Sequence, residues 1–276
     1  MARLDRIAVV GGEGLRPKAA IRPTIAPPST PFWTRRRVVL MGGVAASVAA
    51  IGVVGSALWS DYQVRDYVTK VGEIRVVPLS DGSMVTLNTN TRLSVRFTEK
   101  TRNINLLQGE ALFDVAKDKQ RPFTVFSGDT QIMAVGTSFV VCALPERPIQ
   151  VLVKEGVVEV KRDGVLHAVT QRAAANTRTV VPPKAPIVTR ELPPEKLARN
   201  LAWEVGLIDF DNEPLGKAAE EYARYSNIRI VVDPAIANRA VTGIYASNNP
   251  VGFARATAKA LKLHVEVGAK EVRISR

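Results

Sequence analysis

Residues 109–115 read GEALFDV, and in this stretch Ala111, Phe113 and Val115 occupy every second position. Such alternation is typical of a strand with one buried face, because successive side chains of a strand point to opposite sides. The same period recurs from Tyr67 to Thr170 in short runs, which turn residues rich in glycine and aspartate interrupt. No helical period lies between the runs. The pattern therefore predicts an all-β domain over residues 60–181, built as a sandwich, a barrel or a stacked β-coil.

The pattern changes at residues 182–196, where prolines cluster and the alternation stops. This composition predicts a stiff linker. Residues 197–276 then predict a small α+β domain of the βαβ–βαβ type, with helices over 214–226 and 250–262 whose apolar residues share one face. Pro214 and Pro250 fit the first turn of these helices. We interpret this domain as a partner-binding module, and the fold class as mainly β.

Residues 38–59 carry no charge and directly follow Arg35, Arg36 and Arg37. As a helix this run would span roughly 33 Å, which is enough for a bilayer core of about 30 Å. The positive-inside rule then places residues 1–37 in the cytoplasm and exports residues 60–276. The sequence predicts a single-pass inner-membrane protein of a bacterium, with a periplasmic C-terminus. A cleaved export signal is the alternative, because the run is rich in glycine and alanine and residues 34–39 resemble a twin-arginine export motif.

The formal net charge of +12 is concentrated toward the N-terminus, since residues 1–37 are both basic and rich in proline. Proline at this density predicts an extended tail, and its charge favours contact with the anionic lipid of the bilayer. No basic stripe is interleaved with stacking aromatic residues. We therefore expect no direct contact with nucleic acid.

The sequence contains no nucleophile elbow, no P-loop and no zinc-ligand spacing. We therefore expect neither catalysis nor a cofactor nor a metal. The densest acidic cluster, Asp209 with Asp211 and Glu213, is interpreted as a solvated turn between a strand and a helix. Cys142 is the only cysteine, so an internal disulfide is excluded, and its apolar neighbours predict that it packs within a strand.

A set of short motifs follows in a fixed order through the predicted all-β domain. Its members are Gly72, Asp81, Gly82, Ser83, Gly109, Glu110, Arg121, Pro122, Phe123, Gly136, Thr137 and Gly156. In these motifs the chain resembles the FecR-like membrane regulators of iron uptake, which are anti-sigma factors. We interpret the glycines as turn or bulge residues and the phenylalanine as core. These signature positions would then identify the fold without contacting a partner.

The resemblance implies partners on both sides of the membrane. The exported part would receive a signal from the signalling domain of an outer-membrane, TonB-dependent receptor. The cytoplasmic part would inhibit or activate an extracytoplasmic-function sigma factor. Residues 202–215 are similar to the short domain at the start of secretins and of such receptors. Family members usually carry a longer, tryptophan-rich helical segment before the membrane. By itself the tail of residues 1–37 is therefore not expected to fold as a sigma-binding domain, so either the true start lies upstream or sigma binding is reduced.

Two other classes of protein remain as alternatives. One is a membrane-anchored periplasmic structural or glycan-binding module without a transcriptional role. The other is an exported hydrolase that uses scattered serine, histidine and aspartate residues. A neighbouring sigma-factor gene would favour the regulator.

The predicted receptor contact lies near the end of the chain, at Val272, Arg273 and Ile274. Only two residues follow this strand, so we expect its edge to be open to strand addition. The alternative explanation for the charged residues around this edge is that they prevent aggregation. The alternative contact is the helical face around Tyr222 and Tyr225.

Overall fold

The computed structural model describes residues 64–163 and 169–276. The basic tail of residues 1–37 and the predicted membrane span of residues 38–59 lie outside the described residues. Among the residues that are described, no helix has the length and apolar character needed to cross a membrane. Strands predominate over helices, which confirms the mainly β fold class.

Thirteen strands form the N-terminal part, and no helix interrupts them in the described residues. They are β1 (Val64–Val68), β2 (Arg75–Pro78), β3 (Met84–Leu87), β4 (Arg92–Phe97), β5 (Arg102–Asp114), β6 (Phe123–Ser127), β7 (Thr130–Ala134), β8 (Ser138–Ala143), β9 (Ile149–Glu155), β10 (Val157–Arg162), β11 (Val169–Ala174), β12 (Thr177–Val181) and β13 (Val188–Glu191). Hydrogen bonds join all thirteen into one sheet.

The long strand β5 divides this sheet into two halves. Residues 102–108 of β5 pair with β4 and β6, in a first half-sheet of order β1-β4-β5-β6-β7-β10-β11. Residues 109–114 pair with β3 and β8, in a second half-sheet of order β2-β3-β5-β8-β9-β12-β13. The change of partners falls at Gly109, where φ is +99° and a Cβ atom would lie 2.5 Å from the Cα of Thr91. Only glycine fits this position without strain.

The core of the sandwich contains alternate residues from both half-sheets. Phe113 stacks on Phe139 with ring centroids 5.3 Å apart and meets Phe123 edge-on at 5.9 Å. All three rings are fully buried. The period-two pattern of the sequence thus supplies the inward-facing residues of this core.

The C-terminal part alternates between helices and strands. Its elements are α1 (Pro194–Leu201), a 3₁₀ turn (Ala202–Val205), β14 (Leu207–Pro214), α2 (Leu215–Tyr222), β15 (Arg229–Val232), a 3₁₀ turn (Pro234–Ile236), β16 (Ala240–Ala246), α3 (Pro250–Leu261), β17 (His264–Val267) and β18 (Glu271–Ser275). At the start of α3, Asn249 accepts a hydrogen bond from the amide of Gly252 at 2.8 Å and Pro250 occupies the first turn. These residue types favour helix initiation.

These strands form two small sheets rather than one. Strands β14 and β16 form an antiparallel pair, and β15, β18 and β17 form a separate three-stranded sheet. The strands before α2 and α3 therefore belong to the pair, and the strands after them belong to the three-stranded sheet. Each βαβ unit thus runs from one sheet to the other, whereas a classical βαβ unit keeps both strands in one sheet.

The predicted linker of residues 182–196 contains regular structure. Strand β13 pairs with β12, and α1 begins at Pro194. The prolines of this segment lie on either side of β13, so the residues of the strand keep their amide donors. Proline clustering therefore marks the ends of a strand here, and the segment does not separate the two domains as a simple connector.

Candidate functional site

The C-terminal domain packs on the outer face of the second half-sheet. Leu112, Val140 and Leu152, from β5, β8 and β9, lie in one buried apolar cluster with Trp203 and Tyr225 of the C-terminal domain. Leu112 follows Ala111 and precedes Phe113, both of which face the sandwich core. Strand β5 is thus buried on both faces at this point. We call this contact the junction.

A hydrogen-bonded network of polar side chains crosses the junction beside the apolar cluster. Arg224, in the turn after α2, donates from one Nη to Glu110 of β5 at 2.6 Å and from the other to Glu221 at 2.6 Å. Asn88 donates to Glu110 at 2.8 Å and to the hydroxyl of Tyr225 at 3.0 Å. Charge-assisted bonds of this length are the strong ones in proteins. The network therefore fixes the turn after α2 against β5.

The electrostatics of this network favour a charged Arg224. Burial acts to lower the pKa of Arg224, but the carboxylates of Glu110 and Glu221 outweigh it and raise that pKa. Burial also raises the pKa of Glu221, against the opposing effect of Arg224. Burial likewise raises the pKa of the Tyr225 hydroxyl, which stays protonated. The junction thus holds one buried cation between two carboxylates.

Gly72 brings a third segment to the junction. Its amide donates to Thr89 Oγ1 at 2.8 Å, and the Thr89 hydroxyl donates to the carbonyl of Arg224 at 2.7 Å. Gly72 has φ of +81°, and a Cβ atom there would lie 2.8 Å from the carbonyl oxygen of Tyr225. The glycine therefore serves a close approach between the two domains and not only a turn.

A second polar cluster lies within the sandwich and involves several signature positions. Arg102 is fully buried, pairs with Asp81 at 2.8 Å and donates from Nε to the carbonyl of Arg121 at 2.7 Å. Its guanidinium lies 5.5 Å from the ring centroid of Phe123. Asp81 also accepts from the Ser83 hydroxyl at 2.7 Å. This cluster ties the turn between β2 and β3 to the loop between β5 and β6, so its role is structural.

The other signature positions lie at strand ends. Gly82 follows Asp81 in the turn between β2 and β3, and Pro122 precedes β6. Gly136 and Thr137 precede β8, and Gly156 lies between β9 and β10 against the side chain of Thr137. These positions shape the turns of the sandwich.

The predicted edge strand is wrong in its geometry. Strand β18, with Val272, Arg273 and Ile274, is the middle strand of its sheet, because β15 pairs on one side and β17 on the other. Val272 and Ile274 are fully buried, as is Tyr222, and Tyr225 is nearly so. The prediction rested on the closeness of β18 to the chain end, which does not show that β15 pairs with it. Partner binding through these residues stays a prediction, without the free edge that motivated it.

The acidic cluster after α1 is occupied by a basic side chain. Arg199 pairs with Asp211 at 2.7 Å and lies 3.7 Å from Asp209. Among the described residues, no group of three or more histidine, cysteine or acidic residues is placed to hold a metal ion. Cys142 lies in β8, where burial raises the pKa of its thiol to about 12.

Neither Glu110 nor Gly72 was predicted to take part in a contact between domains. The sequence signal for Glu110 was a carboxylate inside an apolar strand, since a charge in such a place is seldom buried without a partner. Its partners lie more than one hundred residues further along the chain, at Arg224 and Tyr225. Spacing along the sequence therefore gave no indication of the pair.

Comparison with known proteins supports the resemblance seen in the motifs. A family model described as FecR protein matches residues 65–159. All the signature positions from Gly72 to Gly156 lie inside this match, so the resemblance to the FecR-like family is confirmed. No curated protein matches the chain.

Two solved structures share the fold. Both are crystal structures of a candidate anti-sigma factor from Parabacteroides distasonis ATCC 8503, at 2.50 Å and 1.65 Å resolution. The first is 23% identical with a TM-score of 0.63, over 78% of this chain and 99% of that one. The second is 24% identical with a TM-score of 0.63, over 77% and 99%. The likeness extends beyond residues 65–159, and it shows a common fold.

Proposed function

We propose that this chain, whose residues 65–159 form a FecR domain, is an anti-sigma type of signal-transduction regulator in the bacterial inner membrane. It relays a signal from the signalling domain of an outer-membrane, TonB-dependent receptor to an extracytoplasmic-function sigma factor. The controlled genes serve iron or siderophore uptake. The FecR match carries this proposal, and the fold shared with two candidate anti-sigma factors supports it.

The junction supplies a physical path for such a relay. Glu110 and Gly72 belong to the FecR domain, and both contact the turn after α2, at Arg224 and Tyr225. A partner that moves this turn would disturb a buried ion pair and a tight backbone contact in the FecR domain. Coupling through packed, hydrogen-bonded groups needs an element with two arrangements, and we assign that role to the docking of the C-terminal domain.

In this proposal residues 38–59 anchor the protein and residues 1–37 remain in the cytoplasm. The uncharged length of the run and the three arginines before it support this arrangement. Val48→Arg places a charge at the middle of the run and should hinder insertion by about 2.5–3.5 kcal/mol. Alkaline extraction of membranes measures the outcome, with Val48→Leu as the matched control. Equal retention of both variants would contradict the anchor.

Recovery of the partners tests the regulatory function. Tagged full-length protein is purified from detergent-solubilised membranes of its own host, and the bound proteins are identified by mass spectrometry. We expect one sigma factor of the extracytoplasmic-function class and one TonB-dependent receptor. A preparation with neither protein, from cells in which the receptor genes are expressed, would contradict the proposal.

A transcription reporter tests the relay itself. Arg224→Gln breaks the junction network, whereas Arg172→Gln changes an exposed arginine on β11. We expect the response of the sigma-dependent promoter to the inducing ferric chelate to change at least severalfold with Arg224→Gln. It should stay at the wild-type level with Arg172→Gln. Identical responses from both variants would show that the junction does not carry the signal.

A further inference from the structure

A cleft of about 1170 Å³ lies between the outer face of the second half-sheet and the C-terminal domain. On one side, β8 contributes Cys142, β9 contributes Leu152 and β12 contributes Val180. On the other side, α1 contributes Asn200 and β14 contributes Phe210. Small-molecule sites in proteins commonly measure about 300–1,000 Å³. The cleft therefore has room for an organic molecule.

Two arginines lie side by side in this cleft. Arg178 of β12 is the direct cross-strand partner of Arg190 of β13, and both line the cleft. Like charges at directly opposed positions repel. Among the described residues, neither arginine forms an ion pair with a carboxylate; Arg178 donates to the Asn200 side chain at 2.5 Å, and Arg190 is exposed. Burial lowers the pKa of Arg178, as expected for a cation that lacks a nearby anion.

Four buried donors of residues that line the cleft have no hydrogen-bond acceptor in the described part of the chain, namely Nε of Arg178, Arg199 and Arg224 and Nε1 of Trp203. Arg199 and Arg224 pair with carboxylates through their other nitrogen atoms, whereas Arg178 and Trp203 have no anionic partner. Trp203 is only 5% exposed. Buried polar groups are normally hydrogen-bonded. An anion in the cleft would give the Arg178 and Trp203 donors an acceptor, and it would offset the charges of Arg178 and of the exposed Arg190.

Apolar side chains also lie in the lining of the cleft, among polar and charged ones. Leu152, Val180 and Phe210 line the cleft together with the indole of Trp203. An inorganic ion would use the donors but leave this surface without a contact. A molecule with a carboxylate on a compact apolar body would use both.

We propose that this cleft binds a small organic carboxylate, whose charged group lies between Arg178, Arg190 and the Trp203 indole N–H. Its apolar body would pack on Leu152 and Val180. The ligand would contact the sandwich and the C-terminal domain at once, and so stabilise their docking. This site goes beyond the proposed function and does not depend on it.

Equilibrium dialysis with radiolabelled benzoate tests the site on the full-length protein in non-ionic detergent. Protein-free micelles correct for partition of the probe. Benzamide has the same ring without the charge, and inorganic phosphate has the charge without the ring. We expect benzoate to bind saturably and at least tenfold more tightly than benzamide, with phosphate a weak competitor. Benzamide binding equal to benzoate, or full competition by phosphate, would overturn the proposal.

Substitutions locate the binding. The double variant Arg178→Gln with Arg190→Gln should lose at least tenfold in benzoate affinity, whereas Arg172→Gln on β11 should bind as the wild type does. Trp203→Phe keeps an aromatic ring and removes only the N–H donor, so it should lose about threefold if the indole donates to the carboxylate. Wild-type affinity in the double variant would overturn the proposal. If that variant does not fold, wild-type affinity in Trp203→Phe together with Arg178→Lys would overturn it.

Discussion

Replacing Glu110 with glutamine should weaken the junction by about 2–3 kcal/mol. Glu110 accepts from Arg224 at 2.6 Å and from Asn88 at 2.8 Å. Removing one partner of a buried ion pair costs about 3–5 kcal/mol, because the other charge stays buried. The side chains of Arg224 and Glu110 are 17% and 10% exposed, and Glu221 still faces the cation, so the expected loss lies at or just below the lower end of that range, at about 2–3 kcal/mol.

Urea unfolding of the full-length protein in non-ionic detergent measures this loss. Trp203 lies in the junction and reports its opening, once Trp33 and Trp59 are replaced by phenylalanine. The matched control is Lys217→Gln, which breaks an ion pair whose side chains are 62% and 54% exposed. Exposed pairs contribute about 0–1 kcal/mol.

A double-mutant cycle of Glu110→Gln and Arg224→Gln separates the interaction energy of the two side chains from the other effects of each substitution on stability. We expect a coupling energy of about 1–3 kcal/mol between the two positions, because they contact each other directly. A coupling near zero would refute the reasoning. So would a loss with Glu110→Gln no greater than that with Lys217→Gln.

Three further predictions concern single positions. Gly72→Ala should destabilise the protein by more than Gly128→Ala does. Both glycines have positive φ, which costs alanine about 1–2 kcal/mol, but only Gly72 closely approaches the backbone of Tyr225. Equal shifts of the thermal unfolding midpoint in the two variants would contradict this. Burial raises the pKa of Glu204 above 4.5, so the wild type should lose stability relative to Glu204→Gln as the pH rises from about 4 to 7. A difference in unfolding free energy between the two proteins that does not change with pH would contradict this prediction. Cys142 should react with iodoacetamide only after denaturation, because its thiol pKa is about 12, whereas rapid native labelling at about pH 8 would show an accessible thiolate.

The sequence pattern predicted the strands of the sandwich well, because the period of two arises directly from the burial of alternate side chains in the core. Ala111 and Phe113 face one side of β5, and Leu112 faces the other. A strand that is buried on both faces therefore appears in the sequence as a continuous apolar run, in which alternate residues belong to different cores. The helices after Pro214 and Pro250 also follow from local signals, namely proline in the first turn and one apolar face.

The order of strands within a sheet depends on contacts between distant residues, which local patterns do not contain. The position of β18 between β15 and β17 is such a case. The sequence predicted an open edge at Val272 because it does not show that β15 pairs with β18. The same holds for the junction. Glu110 and Gly72 were recognisable as signature positions, but their partners in the turn after α2 became known only from the three-dimensional structure.

Strand β5 belongs to both half-sheets, and this sharing has a consequence for amide hydrogen exchange. An edge strand can detach alone, whereas β5 can expose all of its amides only if neighbours in both half-sheets separate from it. The amides of residues 102–114 should therefore exchange last, at one common rate set by complete unfolding. A peptide bond cut within this strand would weaken an interior strand that both half-sheets share, so the sandwich should resist proteases as a single unit and, once nicked there, lose both halves together.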